Sequence, residues 1–142
     1  MQVFIVGSPL ETAMAMAGDT RRYNKQIIEV GQILDALNGK SAWSNHPCVL
    51  QYRGYEWWLD NYKKCLEGYA MGDIVRAEVY SILAGAIRPD WHTYEYYDQM
   101  KRRLYTKDPE HYKQWADLGE SNCNWYFVDG EWQKYVNGKR VE

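Results

Sequence analysis

The sequence predicts a mainly α fold, a single-domain helical bundle closed by a small C-terminal β-hairpin or meander. Apolar residues recur at spacings of three and four through residues 20–37, at Tyr23, Ile27, Val30, Leu34 and Leu37, as a helix needs to face a core. Helix-starting and helix-stopping residues then punctuate the chain as far as Trp115. In NWYFVDGEWQKYVNGKRV the pattern changes to aromatic and β-branched residues, broken by Asp129-Gly130 and Asn137-Gly138, both strong hairpin turns.

Taken in order, Met1–Val6 is an apolar run, either a brief strand or an extended segment laid on the core. Ser8, Pro9 and Glu11 are spaced for a capping box with proline at the first helical position, which predicts a short helix ending at Gly18. Asp19 is positioned to cap the main helix over 20–37, and Asn38-Gly39 to stop it. Arg22, Lys25, Gln26 and Glu29 fall on its adjoining polar positions, as a solvated face or as the rim of a site. Residues 38–54 read as a link in which Pro47 places His46 at a bend. A third helix is expected from Tyr55 to Tyr69, with Trp57, Trp58, Tyr62 and Leu66 packing along it, and a short one over Asp73–Leu83. Asp90 is expected to cap a helix containing Trp91, Tyr94, Tyr97, Met100 and Leu104, and Asp108-Pro109 to open a last short helix through Trp115. Residues 1–118 then form a helical core and 119–142 a β extension.

Composition narrows the function. The 142 residues hold three cysteines without ligand spacing and three scattered histidines, so reduced thiols and no metal site are expected. No apolar run is long enough to span a bilayer, and a cytoplasmic protein with no membrane partner is expected. Phosphate-binding glycine motifs are absent and no cofactor is expected. The formal charge of −2 is not that of a general nucleic-acid binder. Local charge differs: Lys101, Arg102, Arg103, Lys107 and Lys113 form one basic cluster and Arg21, Arg22 and Lys25 another. If the two meet, a basic groove exists on an acidic protein. Seven tryptophans and thirteen tyrosines serve mostly as core, with stacking on bases as the alternative use. Asn45, His46, Arg53 and Tyr55 make a second polar group within a short stretch.

Three ordered stretches, DTRRYNKQIIEVGQILDALNGK, WSNHPCVLQYRGYEWWLDNY and HTYEYYDQMKRRLYTKDPEHY, resemble the pyrimidine dimer DNA glycosylases of endonuclease V type, over roughly residues 1–115. The resemblance implies a compact helical DNA-binding bundle of that type. It implies an N-terminal α-amine attacking C1′ of a damaged pyrimidine nucleotide, an imine intermediate, and β-elimination of the strand. An α-amine, ordinarily titrating at about 7.7–8.0, keeps a useful neutral fraction for such an attack. Carried onto this chain, the amine belongs to Met1, or to residue 2 after processing, and the helix carboxylate falls at Gln26, with Glu29 one turn beyond. Two positions depart from the family: Gln2 stands where enzymatic members expose threonine, and Gln26, which cannot act as a base, stands for glutamate. The candidate catalytic residues are therefore Met1, Glu29 and Gln26. Arg21, Arg22, Lys25, His46, Arg53, Tyr55, Lys101, Arg102 and Arg103 are the candidates for binding DNA or a nucleotide-like ligand. The function implied is a DNA glycosylase, with or without lyase activity. The alternative is a non-catalytic module that binds a modified base or nucleotide, and a purely structural or protein-binding domain is the third.

Overall fold

The computed structural model describes residues 1–40 and 42–142. Six α-helices precede a three-stranded sheet: α1 Pro9–Met16, α2 Thr20–Leu37, α3 Pro47–Gln51, α4 Glu56–Ala70, α5 Ile74–Gly85 and α6 Tyr94–Lys107. A mainly helical bundle with a small C-terminal sheet is thus the observed architecture. Strands β1 Cys123–Val128, β2 Glu131–Val136 and β3 Lys139–Val141 form an antiparallel meander in sequence order. Both expected turns are present. Asp129 and Gly130 have φ of 52° and 78°, and Asn137 and Gly138 of 52° and 77°, the paired positive angles that suit two-residue hairpins.

The start of α1 follows its sequence signal: Ser8 Oγ accepts from the Glu11 N–H and the Glu11 carboxylate accepts from the Ser8 N–H, each at 3.1 Å. Helix α2 keeps its expected bounds but not its expected face. Its buried residues are Tyr23, Gln26, Val30, Ile33 and Ala36, while Ile27 and Leu34 are only partly buried and Ile28 is exposed. The rotation brings Gln26 from the polar rim into the core, where its amide has work to do. Asp19 caps nothing: its carboxylate is taken by Arg22 and, at 2.7 Å, by the Tyr112 hydroxyl.

Other boundaries moved for equally physical reasons. Within the expected link, Pro47 opens α3, because His46 takes an extended conformation and its Nδ1 accepts from the Cys48 N–H at 3.1 Å. Helix α6 is capped by Thr93, not Asp90, since Trp91 and His92 are committed to the core and the chain turns beneath them before the helix begins. Asp108 ends α6, and a turn leads to a 3-10 helix, Lys113–Leu118, in place of the helix expected after Pro109. Trp57 points outward, whereas Trp58, Leu59, Tyr62 and Leu66 face the core.

The core is built of rings. Trp58 stacks between Tyr52 and Tyr62 at centroid separations of 5.6 and 5.1 Å, and Trp91, His92 and Tyr96 pack edgewise or face to face beside them. Through this core runs Gln2–Val6, buried and, among the described residues, paired with no strand. Side chains replace the missing ladder. The Gln2 carbonyl accepts from Gln26 at 2.9 Å, the Phe4 N–H donates to Gln26, the Phe4 carbonyl accepts from the Tyr62 hydroxyl, and the Val6 N–H donates to Thr12 Oγ1 at 3.0 Å. Buried backbone groups need partners, so these side chains fix both the depth and the register of the N-terminus.

Candidate functional site

The N-terminal segment emerges beside the first two turns of α2. There a cavity of about 410 Å³ is lined by Met1, Gln2 and Phe4, by Asp19, Arg21, Arg22, Lys25, Gln26 and Glu29, by Arg103 and Lys107 of α6, and by Asn124 of β1. The helical repeat puts residues 22, 25, 26 and 29 on one side of α2, which is why so many of them reach one place.

Glu29 is the carboxylate that bonds the N-terminal segment. Its Oε2 accepts from the Gln2 N–H at 3.3 Å, and its other oxygen lies 3.8 Å from Lys25 Nζ, with only 15% of the Glu29 side chain exposed. Gln26 is 1% exposed and spends its amide on backbone, as donor to Gln2 and acceptor from Phe4, with the Tyr62 hydroxyl 3.2 Å from the same oxygen. Gln26 is therefore a clamp for the segment that carries the amine. Met1 is held from the other side, its carbonyl accepting from the Tyr126 hydroxyl at 3.1 Å.

The two basic clusters do meet, but through particular members. Burial and then the neighbouring charges of Arg103, Arg22 and Lys25 push the Lys107 ammonium below its ordinary range. Arg103 reaches across from α6, donating to Asn124 Oδ1 at 3.0 Å and to the Ser121 carbonyl at 3.3 Å, and so ties the cavity wall to the sheet. Burial raises the Asp19 carboxyl, but the hydrogen bonds from Tyr112 and Arg22 outweigh it, and Asp19 stays ionised below its ordinary range. The result is a positive wall of five side chains, Arg21, Arg22, Lys25, Arg103 and Lys107, against two carboxylates.

The remaining sequence candidates are elsewhere. Lys101 lies over the Trp115 ring, 3.8 Å from Asp98, and lines a different cavity, while Arg102 donates to the Leu118 carbonyl at 2.8 Å. Arg53 and Tyr55 border a shallow depression with Trp91 and Phe127. His46 does not line the cavity at the N-terminus. Burial and then the positive N-terminus hold its imidazole below the ordinary histidine range, and its ring meets Tyr126 edge-on at 5.9 Å. Asn45 is exposed. Phe4, Tyr126 and Asn124 escaped the sequence reading; a buried tyrosine in a strand carries no local sign that its hydroxyl reaches the N-terminus.

Among the described residues no group of three or more histidines, cysteines or carboxylates is arranged to hold a metal. No described helix is long and apolar enough to cross a membrane.

In comparison with known proteins, the family model for pyrimidine dimer DNA glycosylase matches residues 1–68. That span contains the N-terminal segment, α1 to α3 and nearly all of α4, hence every cavity residue except those of α6 and β1. The part of the resemblance carried by residues 69–115 lies outside it. No curated protein and no solved structure matches significantly.

Proposed function

We propose that this protein is a DNA glycosylase with associated lyase chemistry, acting on a damaged or modified pyrimidine through the α-amine of Met1, with Glu29 as its carboxylate partner. The observation that carries the reading is the convergence of the N-terminus, a mostly buried Glu29 and a cationic wall in one cavity, within the span of the family match.

In this reading Arg21, Arg22, Lys25 and Lys107 hold phosphates flanking the target, and the target nucleotide leaves the base stack to reach the cavity. The neutral amine attacks C1′ as the glycosidic bond breaks, and the electron pair of that bond leaves with the base. Glu29 takes a proton from the amine and passes it to O4′ as the C1′–O4′ bond breaks, which leaves a protonated imine between Met1 N and C1′ and an ionised Glu29. Glu29 then takes a C2′ proton, and that electron pair forms the C2′–C3′ double bond as the bond from C3′ to the 3′ phosphate oxygen breaks and the phosphate leaves. Water hydrolyses the imine and frees the enzyme. Glu29 stabilises the cations that develop along this path. Imine chemistry of this kind needs no metal or cofactor. Residues 1–118 serve as the glycosylase-like core, and 119–142 as an extension whose Asn124 lines the cavity and whose Tyr126 holds the Met1 carbonyl.

The test is strand cleavage of duplex DNA containing an abasic site or a pyrimidine dimer. Glu29→Gln is expected to lower cleavage by about 10²-fold or more while leaving DNA affinity within a few-fold. Tight binding to these duplexes or to nucleotides, with no cleavage by the unmodified protein, supports the non-catalytic alternative.

A further inference from the structure

Helix α5 is amphipathic in the wrong sense. Its buried residues are the small ones, Ala77, Ser81 and Ala84, and Ala77 lies close against α4 at Gly68, where an added Cβ would meet the Ala77 nitrogen at 3.3 Å. Ser81 Oγ also accepts from the Leu10 N–H at 3.1 Å, fastening α5 to α1. The large side chains Ile74, Val75, Val79, Ile82, Leu83 and Ile87 all face solvent, with Val75 74% and Ile82 67% exposed, and Met71 at the preceding turn is 72% exposed. These fractions leave on the order of 700 Å² of largely apolar surface, above the roughly 300–600 Å² patch of a typical monomer and near the about 800 Å² each partner gives to a standard interface.

We propose that this face joins two copies of the chain in a symmetric dimer, with α5 crossing its counterpart antiparallel at Val79. Val75, Val79 and Leu83 follow one another on α5 at intervals of four, the spacing of a helix ridge that packs into the groove of another helix. A two-fold axis through Val79 sets Val75 against Leu83 of the second copy, so the ridge complements itself, and the exposed Met71 and Ile87 just beyond the helix ends extend the apolar face. Off the ridge, Arg76 is held over the Tyr80 ring of its own helix at 5.7 Å. A bilayer suits the face poorly, because an interfacial helix is rich in Lys and Arg along its polar side and α5 has Arg76 alone. No residue of α5 lines the cavity at the N-terminus, so the dimer leaves that site open.

The measurement is molar mass in solution by light scattering at micromolar concentration. The unmodified chain is expected at twice the chain mass, and Val75→Glu at the chain mass with unchanged helical circular dichroism. The double variant Val75→Glu, Leu83→Lys is expected to recover the dimer, because the proposed register sets each new glutamate against a new lysine of the other copy. A monomeric unmodified chain overturns the proposal. So does a dimer indifferent to Val75→Glu, which places the contact elsewhere, or flotation of the monomer with phosphatidylcholine vesicles, which assigns the face to a membrane. Failure of the double variant to recover the dimer overturns the register.

Discussion

The Gln26 side chain donates to the carbonyl of Gln2 at 2.9 Å, and its oxygen accepts from the N–H of Phe4 two residues on. One amide thus satisfies both senses of hydrogen bond along an extended segment that has no neighbouring strand. A carboxylate can accept from Phe4 and Tyr62 but leaves the Gln2 carbonyl unpartnered, and an alanine orphans both backbone groups. Glutamine at this position is a structural requirement of the N-terminal segment.

Gln26→Ala is accordingly expected to lose about 2–4 kcal/mol of unfolding free energy, measured by urea denaturation, because two buried backbone groups lose partners. Gln26→Glu is expected to destabilise without activating. Its protonated form can still donate to Gln2, so the folded state raises the new carboxyl's pKa. The deficit is then least in acid and grows as pH rises above about 4.3, the unfolded value. A Gln26→Glu variant as stable as the parent at neutral pH, or a faster enzyme, contradicts the clamp.

Tyr126→Phe removes the hydroxyl that holds the Met1 carbonyl at 3.1 Å while keeping the buried ring. About 1 kcal/mol of stability is at stake. The larger expected effect is on strand cleavage, at least tenfold, through looser placement of the amine, with DNA affinity unchanged. Equal loss of affinity and cleavage indicates a general defect of the sheet and not a positioning role.

For the positive wall the sensitive readout is salt. Lys25→Ala and Lys107→Ala are each expected to weaken DNA binding at low salt and to lower the slope of log affinity against log salt by about 1, as one fewer phosphate contact requires. Lys101→Ala, outside the cavity and over Trp115, is expected to leave the slope unchanged. A reversed pattern moves the DNA path to the other end of α6.

His92 predicts a pH dependence unrelated to catalysis. Burial among rings, and then Arg88, hold its imidazole down to about 3, while its Nε2 lies 3.0 Å from the Tyr52 hydroxyl. The unfolded chain takes up this proton below about 6.5 and the folded chain does not, so stability is present above 6.5 and falls as pH drops toward 3. The slope from this group is at most about 1.4 kcal/mol per pH unit. His92→Phe is expected to flatten it between pH 6 and 4, despite a lower absolute stability from the orphaned Tyr52 hydroxyl. An unchanged slope assigns the acid sensitivity elsewhere.

Those features legible in the sequence have their causes within a few residues. The Ser8–Glu11 box, the bounds of α2 and the Asp-Gly and Asn-Gly turns depend on neighbours and were readable for that reason. Gln26 was not, because its partners are a segment more than twenty residues earlier and Tyr62 on α4. Apolarity alone favoured Ile27 for the core, whereas the buried face of α2 carries Gln26 to Gln2 and Phe4 along with Tyr23, Val30, Ile33 and Ala36. Arg103 and Lys107 carried a basic signal, but Lys101 and Arg102 carried the same one, and which members of the run face α2 is decided by how α6 packs.

The N-terminal amine is the centre of this account, and trapping its imine tests it most directly. Protein with its native terminus is incubated with duplex DNA containing an abasic site, borohydride is added, and the covalent product is digested and mapped by mass spectrometry. The expected result is a protein–DNA adduct at residue 1, abolished by an N-terminal extension that spares DNA binding and strongly reduced by Glu29→Gln. No adduct on abasic or pyrimidine-dimer DNA, or an adduct mapping to a lysine such as Lys25 or Lys107, contradicts it.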